Sequence, residues 1–349
     1  MSIPFRKYFL IPVLFIACII QSGCADSIHS REVSLISEQY RVPQDKQLIL
    51  YTSHKEEVYL PIVREFEDRT GIWVEVHSGG TTQILDEIRE NASNTECDVM
   101  FGGGIASYEA ERDLFLPYFT REKDRIDSQW CSDDGIWTPF TELPIVFVYN
   151  NKLLSEDETP KGWYDLMEDD RFKGQIAFAD PLKSGTGYTV LATLLQLTDK
   201  DKEELISGIL AQLDGRILDN SGDVIPGVAN GEFLAGITLE ETAIQYMSQE
   251  NDISICYPME GTSAIPDGCA IVKGAPHSYN AGLFIDFVTG RDTQKYAVTH
   301  FGRRSVRTDI KEDEELEEFK ILNLDIKRAA DEEKDTLDIW KKQKERGIK

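Results

Sequence analysis

The sequence predicts an α/β protein of two lobes, each built on a mixed, mostly parallel sheet with helices on both faces. Two regions of alternating strand and helix patterns indicate this fold class, and the second region begins near Val146. The length of 349 residues suits two domains, and 41% hydrophobic residues are enough to fill their cores. These observations exclude a disordered chain.

The first region contains a βαβαβ pattern. Short apolar strands alternate with helices whose apolar residues recur at helical spacing, in the order 47–52, 55–70, 72–76, 82–91 and 98–101. Because such units form parallel sheets, the loops that follow the three strands meet at one edge of the sheet. The candidate ligand-binding edge therefore consists of the loops at 52–54, 78–81 and 102–104.

The second region begins with a strongly apolar strand at residues 144–150. Further strands and helices are predicted at 175–178, 186–197, 202–213, 216–218, 235–238 and 240–247. The strands at 253–257 and 270–273 are predicted to pair with each other, and helices follow at 277–288 and 293–300. Beyond Lys311 the tail is charge-rich with apolar residues at helical spacing, which predicts one or two amphipathic helices packed on the outside of the body.

The N-terminus predicts export. Arg6 and Lys7 precede an uncharged apolar run at residues 8–20, which is the pattern of a secretory signal and is too short to span a membrane. Small residues before Cys24 resemble the cleavage site of bacterial lipoproteins, so Cys24 is the predicted lipidated residue; ordinary signal cleavage nearby is the alternative. The polar residues 24–46 are predicted to form a tether between the lipid and the fold.

The composition is strongly acidic, with 62 Asp and Glu against 37 Lys and Arg and a formal net charge of −25. Residues 1–23 hold two basic residues and no acidic one, so the charge becomes −27 once they are removed. An acidic surface does not displace the counterions of nucleic acids and does not adhere to anionic lipids. The composition therefore excludes a nucleic-acid partner and leaves the lipid anchor as the predicted membrane contact.

Four cysteines lie outside the signal and the lipidation site, at Cys97, Cys131, Cys256 and Cys269. None forms a CxxC pair, which argues against a zinc cluster and a thioredoxin-type motif. Cys256 and Cys269 flank a turn-rich stretch. A disulfide between these two, another pairing and free thiols all fit the sequence.

Segments in order along residues 47–310 carry a family resemblance. They read LILYTSHKEE (48–57), EFEDRTGIWVEVHSGGT (65–81), DPLKSGTGYT (180–189), VANGEFLAGI (228–237), YPMEGTSAIPDGCAIVKGAPH (257–277), FIDFVTG (284–290) and RRSVRTD (303–309). The set resembles the solute-binding proteins of bacterial ABC importers with the periplasmic-binding-protein type II fold, in the class that binds ferric iron, 2-aminoethylphosphonate or sugar phosphates. The resemblance implies two lobes with a hinge between them, which close over one solute and deliver it to a membrane permease.

The resemblance and the element pattern together divide the chain. The predicted parts are a signal peptide at 1–23, a lipoprotein tether at 24–46, a first lobe at 47–145 and 257–310, a second lobe at 146–256, and C-terminal helices at 311–349. In this division, the strand at 144–150 crosses between the lobes.

A turn rich in glycine and hydroxyl groups precedes a predicted helix in the second lobe. In Ser184-Gly185-Thr186-Gly187, backbone N–H groups, hydroxyls and the positive end of the helix suit an anion, and a plain N-cap is the alternative. In iron-binding relatives the matching segment holds an anion, which favours the ligand role. Asn220 matches a family position that reaches the ligand or its anion, and a turn-forming Asn is the alternative.

The first lobe offers similar donors at the predicted ligand edge. Four residues of one turn suit an anion, with a tight turn and N-cap as the alternative: Ser78, Gly79, Gly80 and Thr81. Gly103, in a run of three glycines, allows close backbone approach to a ligand or makes a flexible turn. Ser53 follows the first strand and completes this set of binding residues.

His54 and two neighbouring glutamates allow two kinds of site. In iron-binding relatives a His in this context is a metal ligand, but Glu240 and Glu241 stand where those relatives have two tyrosines. Because Fe(III) prefers phenolate and carboxylate oxygens, His54 is interpreted first as a hydrogen-bond donor or cation near an anionic group, or as a helix cap. Glu240 and Glu241 suit the ammonium group of a zwitterion or form a solvated first helical turn. His54 and Glu241 are metal ligands only if the protein binds iron.

The sequence thus predicts an exported, lipid-anchored and monomeric solute-binding protein of an ABC importer. Its expected ligand is a small anionic or zwitterionic organic solute, such as a phosphonate, phosphate ester or carboxylate. No catalytic residue and no cofactor are predicted, since the chain has no GxSxG, HExxH or Walker motif and its five histidines are scattered. The alternatives are a ferric iron-binding protein of an iron importer and a ligand-binding sensor subunit.

Overall fold

The computed structural model describes residues 42–247, 252–310 and 319–347. The predicted signal peptide, Cys24 and the tether up to residue 41 lie outside the described residues. The chain divides into a unit at 1–46, of which Gln44–Lys46 form a 3-10 turn, and a compact unit at 47–349. In the described parts of the chain, no helix is long and apolar enough to cross a membrane.

The structure of the second unit alternates strands and helices. Its strands are β1 (Gln47–Thr52), β2 (Trp73–Ser78), β3 (Val99–Gly104), β4 (Phe115–Leu116), β5 (Thr138–Pro139), β6 (Thr141–Glu142), β7 (Ile145–Asn150), β8 (Ile176–Ala177), β9 (Ala235–Leu239), β10 (Ile253–Cys256), β11 (Asp267–Val272) and β12 (Arg304–Ser305). Its helices are α1 (Glu56–Thr70), α2 (Thr81–Glu90), α3 (Ile105–Ala110), α4 (Trp163–Glu168), α5 (Gly185–Leu197), α6 (Lys202–Leu213), α7 (Val224–Ala229), α8 (Glu240–Met247), α9 (Ser278–Thr289), α10 (Arg291–Phe301) and α11 (Ile326–Gly347).

The first lobe is built on a six-stranded sheet in the order β2-β1-β3-β11-β4, with β5 also paired to β11. Strands β2, β1 and β3 are parallel, as the βαβαβ pattern predicts. Leu48, Leu50 and Phe101 on these strands and Val58 and Phe66 on α1 share one buried cluster. The three loops after β1, β2 and β3 therefore leave the same edge of the sheet.

The second lobe is built on a four-stranded sheet in the order β10-β7-β9-β8. Its core packs Phe147 of β7 edge-to-face against Trp163 of α4, with ring centroids 4.8 Å apart. Helix α5 begins at this lobe's ligand edge and buries Val190 and Leu191 in the same cluster. The α/β class and the two-lobed fold are thus confirmed, with each lobe carrying its own sheet.

The sheets are mixed, but the expectation that they are mostly parallel is too strong. Parallel pairing occurs between β1 and β2, β1 and β3, and β8 and β9, whereas the other strand pairs are antiparallel. Strand β11 pairs antiparallel with β3 after the chain has passed through the second lobe, whereas β9 and β10 pair antiparallel with β7 within the second lobe.

The predicted pairing of the strands at 253–257 and 270–273 is wrong. Strand β10 pairs with β7 in the second lobe, where Cys256 lies opposite Phe147, while β11 pairs with β3 in the first lobe, where Cys269 lies opposite Phe101. The two cysteines therefore stand on different sheets, and all four cysteines of the described residues are free thiols. The predicted strand at 216–218 is reduced to a single bridge between Leu218 and Ala179.

The C-terminal tail forms one long helix preceded by an extended segment. Leu322 donates its N–H to the carbonyl of Thr262 and, with Leu324, packs in the first-lobe core, so this part of the tail is not helical. Helix α11 then packs against α3 and α6. Its Trp340 is fully buried in the core of the second lobe, so the helix is part of the fold and not only a covering of its surface.

Glu333 of α11 makes the stability of the fold depend on pH. Burial, with a smaller contribution from the charge of Glu111, raises the pKa of Glu333 to about 7. The protonated carboxyl is therefore favoured in the folded state, and its contribution to stability is lost as the pH rises from about 4.5 to about 7. We expect Glu333→Gln to raise the free energy of unfolding near pH 8 by at most about 3 kcal/mol, with little change near pH 5.

Urea denaturation at the two pH values checks this prediction. The exposed Glu345→Gln on the same helix is the matched control. If the free energy of unfolding depends on pH equally in the wild-type protein and in Glu333→Gln, the prediction is wrong.

Candidate functional site

A cavity of 290 Å³, lined by many polar and charged residues, lies between the ligand edges of the two lobes. The first lobe lines it with the loop after β1, the start of α2 and the end of β3, and the second lobe lines it with the start of α5, a short turn before α7 and the start of α8. The predicted binding residues that line the cavity are Ser53, His54, Gly80, Thr81, Gly103, Ser184, Gly185, Thr186, Asn220 and Glu241.

Two helices begin at the cavity, one from each lobe. Gly80 is the N-cap of α2 and has an extended backbone, with no side chain capping the first turn. Ser184 is the N-cap of α5, and its Oγ accepts the N–H of Gly187 at 3.2 Å. Ser184 is thus an N-cap and a cavity-lining residue at once. Because the first N–H groups of a helix lack intrahelical partners and carry partial positive charge, both helix starts suit an anion.

Gly103 brings the end of β3 close to the start of α2. Its φ of +83° favours glycine, and a Cβ at this position would lie 2.7 Å from Cγ2 of Thr81. A side chain at this position would therefore force Thr81, the first residue of α2, to move.

Four predicted binding residues do not line the cavity. Ser78 pairs with Thr52 in the sheet, and Gly79 donates its N–H to the Thr52 carbonyl. Gly187 lies where a Cβ would overlap the carbonyl oxygen of Ala179, so glycine is needed there for packing.

Glu240 is the fourth predicted residue outside the cavity lining. Its two carboxylate oxygens accept hydrogen bonds from Nε and Nη2 of Arg304 at 2.8 Å each. Oε1 also accepts a hydrogen bond from the hydroxyl of Tyr257. At 1% exposure, Glu240 is neither a solvated helix start nor available to a ligand.

Arg303 and Asp267 form the deep wall of the cavity, and sequence reasoning missed both. Nη1 of Arg303 donates to Oδ2 of Asp267, and Thr141 donates to Oδ1 through its N–H at 2.8 Å and its hydroxyl at 2.9 Å. Burial raises the pKa of Asp267, while Arg303 and Thr141 oppose that shift. The only signal for these residues was their position in the segments 257–277 and 303–309 that carry the resemblance.

His54 faces this wall as a neutral imidazole. Its Nε2 lies 3.4 Å from Oδ2 of Asp267 but has no hydrogen-bond partner among the described residues. Burial, and secondarily the positive charge of Arg303, lower the pKa of His54 well below its usual range. His54 is thus available as a hydrogen-bonding group, and the cation considered from the sequence is disfavoured.

Glu241 supplies a second carboxylate beside Arg303. It is 7% exposed, its Oε1 accepts the hydroxyl of Thr242 at 3.0 Å, and the same oxygen lies 3.7 Å from Nη2 of Arg303. With His54 neutral, the deep wall holds two carboxylates and one guanidinium. This end of the cavity therefore suits an ammonium group or hydroxyl donors, whereas the helix starts suit an anion.

The described part of the chain contains no cluster of three or more His, Cys, Asp and Glu side chains arranged to hold a metal ion. The two residues assigned to iron in the alternative interpretation, His54 and Glu241, both line the cavity. Arg303 is close to both and contributes a fixed positive charge there.

In the described residues, two α/β lobes line a common cavity, which is the architecture of periplasmic-binding-protein type II solute-binding proteins of ABC importers. Residues 95–329 match the family described as bacterial extracellular solute-binding protein, and the chain belongs to this family.

Known proteins are similar to most of this chain. An uncharacterized protein of Haemophilus influenzae is 26% identical over 314 residues, which cover 84% of this chain and 89% of that protein. Iron uptake protein A1 of Synechocystis is 23% identical over 269 residues, which cover 72% of this chain and 74% of that protein. The periplasmic binding protein AfuA of Actinobacillus pleuropneumoniae, solved with fructose-6-phosphate bound, has a TM-score of 0.78 at 23% identity and covers 86% of this chain and 98% of its own.

Proposed function

We propose that the protein is the lipid-anchored, monomeric solute-binding subunit of an ABC importer and captures a small anionic or zwitterionic organic solute. The observation that carries this proposal is that the N-terminal ends of α2 and α5, one from each lobe, meet at a single cavity. Lipid attachment at Cys24 is proposed from the sequence that surrounds it. The protein binds and releases its solute without chemical change.

The anionic group of the solute lies between the two helix starts. Backbone N–H groups and the hydroxyls of Thr81 and Thr186 bind a phosphate, phosphonate or carboxylate there. Because these donors belong to different lobes, the bound anion is in full contact only when the lobes are closed, and it stabilises the closed state. The other end of the solute contacts Glu241 and His54, which suit ammonium or hydroxyl groups.

An organic anion fits the cavity better than ferric iron does. The AfuA neighbour was solved with a sugar phosphate, whereas the name of the Synechocystis relative concerns iron uptake, so relatives support both solutes. In this chain, Arg303 pairs with Asp267 and lies 3.7 Å from Glu241. A trivalent cation among these residues would be repelled by the guanidinium, and no tyrosine among the described residues lines the cavity to supply a phenolate.

Thermal denaturation with a panel of solutes tests this function. The panel contains inorganic phosphate, fructose 6-phosphate, 2-aminoethylphosphonate and Fe(III) with citrate. A solute at about 100 times its Kd stabilises the folded state by about 2.7 kcal/mol, so we expect an organic anion to raise Tm by several degrees. If Fe(III) with citrate raises Tm and none of the other solutes does, the proposal is contradicted.

The substitution Glu241→Gln tests whether this end of the cavity binds the ammonium group of the solute. We expect this change to weaken binding of 2-aminoethylphosphonate more than that of fructose 6-phosphate, because only the former carries an ammonium group. The exposed Glu232→Gln is the matched control.

A further inference from the structure

The turn that leads into α5 is organised by one buried residue, Asp180, through its backbone carbonyl and its carboxylate. The backbone carbonyl of Asp180 accepts the N–H groups of Lys183 and Ser184 at 2.9 Å each, and its Oδ1 accepts the N–H of Leu182 at 3.1 Å. Lys183 and Ser184 both line the cavity. The conformation of this turn therefore determines where the first N–H groups of α5 point.

The C-terminal helix also holds this carboxylate, through residues that do not line the cavity. Trp340 of α11 donates its Nε1–H to Oδ1 of Asp180 at 3.0 Å, and Lys344 donates its Nζ to Oδ2 at 2.6 Å. Trp340 is fully buried and Asp180 is 1% exposed, whereas Lys344 is partly exposed. A second contact ties α11 to the first turns of α5, since the hydroxyl of Tyr188 donates to the carbonyl of Ala329.

We propose that Trp340 and Lys344 of α11 are positioning residues for the anion-binding turn, acting through Asp180. Two physical effects follow from these contacts. The bonds to both carboxylate oxygens hold the turn in one conformation, so its donors are already arranged when the anion arrives. Lys344 also compensates the negative charge of Asp180, which would otherwise oppose an anion at the adjacent helix start. The inference rests on the proposed function of the cavity.

Three substitutions in α11 test the proposal. Lys344→Met removes the cation and keeps most of the side chain, Lys344→Arg restores a cation, and the exposed Lys342→Met is the control on the same helix. Calorimetry measures the Kd for inorganic phosphate, hydrogen exchange measures protection of the 183–187 backbone without ligand, and thermal denaturation measures Tm.

We expect Lys344→Met to raise the Kd about tenfold and to speed exchange at residues 183–187, with a small change in Tm. Lys344→Arg should restore most of the affinity, and Lys342→Met should match the wild-type protein. Asp180→Asn, which keeps an acceptor for Trp340 but removes the charge, should also speed exchange in the turn.

Unchanged affinity and exchange in Lys344→Met would overturn the inference while leaving the proposed function intact. Faster exchange throughout the second lobe together with a large fall in Tm would also overturn it, because α11 would then be a general structural element. If the wild-type protein binds none of the organic anions but Lys344→Met still speeds exchange at 183–187 alone, the proposed function fails and the positioning of the turn by α11 stands.

Discussion

Arg303→Met is expected to lower the free energy of unfolding by about 3–5 kcal/mol, because it leaves the buried carboxylate of Asp267 without its cation. Arg303 is 5% exposed and Asp267 1% exposed, so the ion pair is almost fully buried. Thr141 would continue to donate to Oδ1, but Oδ2 would lose the guanidinium. Urea denaturation at neutral pH measures the loss, and the shape of the transition shows whether unfolding remains two-state.

Two further variants make this prediction specific to the buried ion pair. Arg64→Met removes an exposed arginine from α1 and should change stability by no more than about 0.5 kcal/mol. The double variant Arg303→Met with Asp267→Asn should recover part of the loss, because no uncompensated charge is then buried. A loss in Arg303→Met no larger than that in Arg64→Met would show that the pair contributes nothing to the fold.

Gly187→Ala is expected to destabilise the second lobe by about 1–3 kcal/mol or more, through overpacking. A Cβ at Gly187 would overlap the carbonyl oxygen of Ala179 and would lie 3.1 Å from the backbone nitrogen of Pro181. These are backbone atoms, which cannot rotate away, so α5 would have to shift relative to the backbone of residues 179–181. Thermal and urea denaturation check the direction and size of the effect.

Gly185→Ala is the matched control for that substitution. Gly185 lies two residues earlier on the same helix, and a Cβ there meets no atom within 4 Å. Alanine at a helical position should leave stability unchanged or raise it by about 0.5–1 kcal/mol. Similar losses in the two variants would contradict the packing role of Gly187.

The element pattern of the chain was largely predictable from local periodicity. Helices α6 (Lys202–Leu213) and α8 (Glu240–Met247) begin and end where the spacing of apolar residues predicts, and the parallel order of β2, β1 and β3 follows from the βαβαβ pattern. The two-residue strands β4, β5 and β6 and the six-residue helices α3, α4 and α7 were not predicted. Such elements are too short to display a period, and their backbones are set by the strands and helices on which they pack.

Candidate binding residues were predictable where they belong to a helix start. Gly80, Thr81 and Ser184 follow a pattern of glycine and hydroxyl residues before an apolar helix, and all three line the cavity. Glu240 and Glu241 are adjacent and identical in type, yet one is buried against Arg304 and the other faces the cavity. Local sequence does not distinguish them, because the difference lies in the direction of each side chain within the packed lobe.

The sequence by itself determined the acidic charge through its composition. It also determined the α/β class and the turns that suit an anion, because each of these depends on residues within a few positions of one another. Tertiary structure alone decided which charges meet. Arg303 reaches Asp267 across 36 positions, Arg304 reaches Glu240 across 64, and Lys344 reaches Asp180 across 164. The spacing of apolar residues in a helix or strand indicates only which face of that element is apolar. The partner of a buried charge is fixed by how the elements pack, because only packing removes the water that would otherwise compensate it.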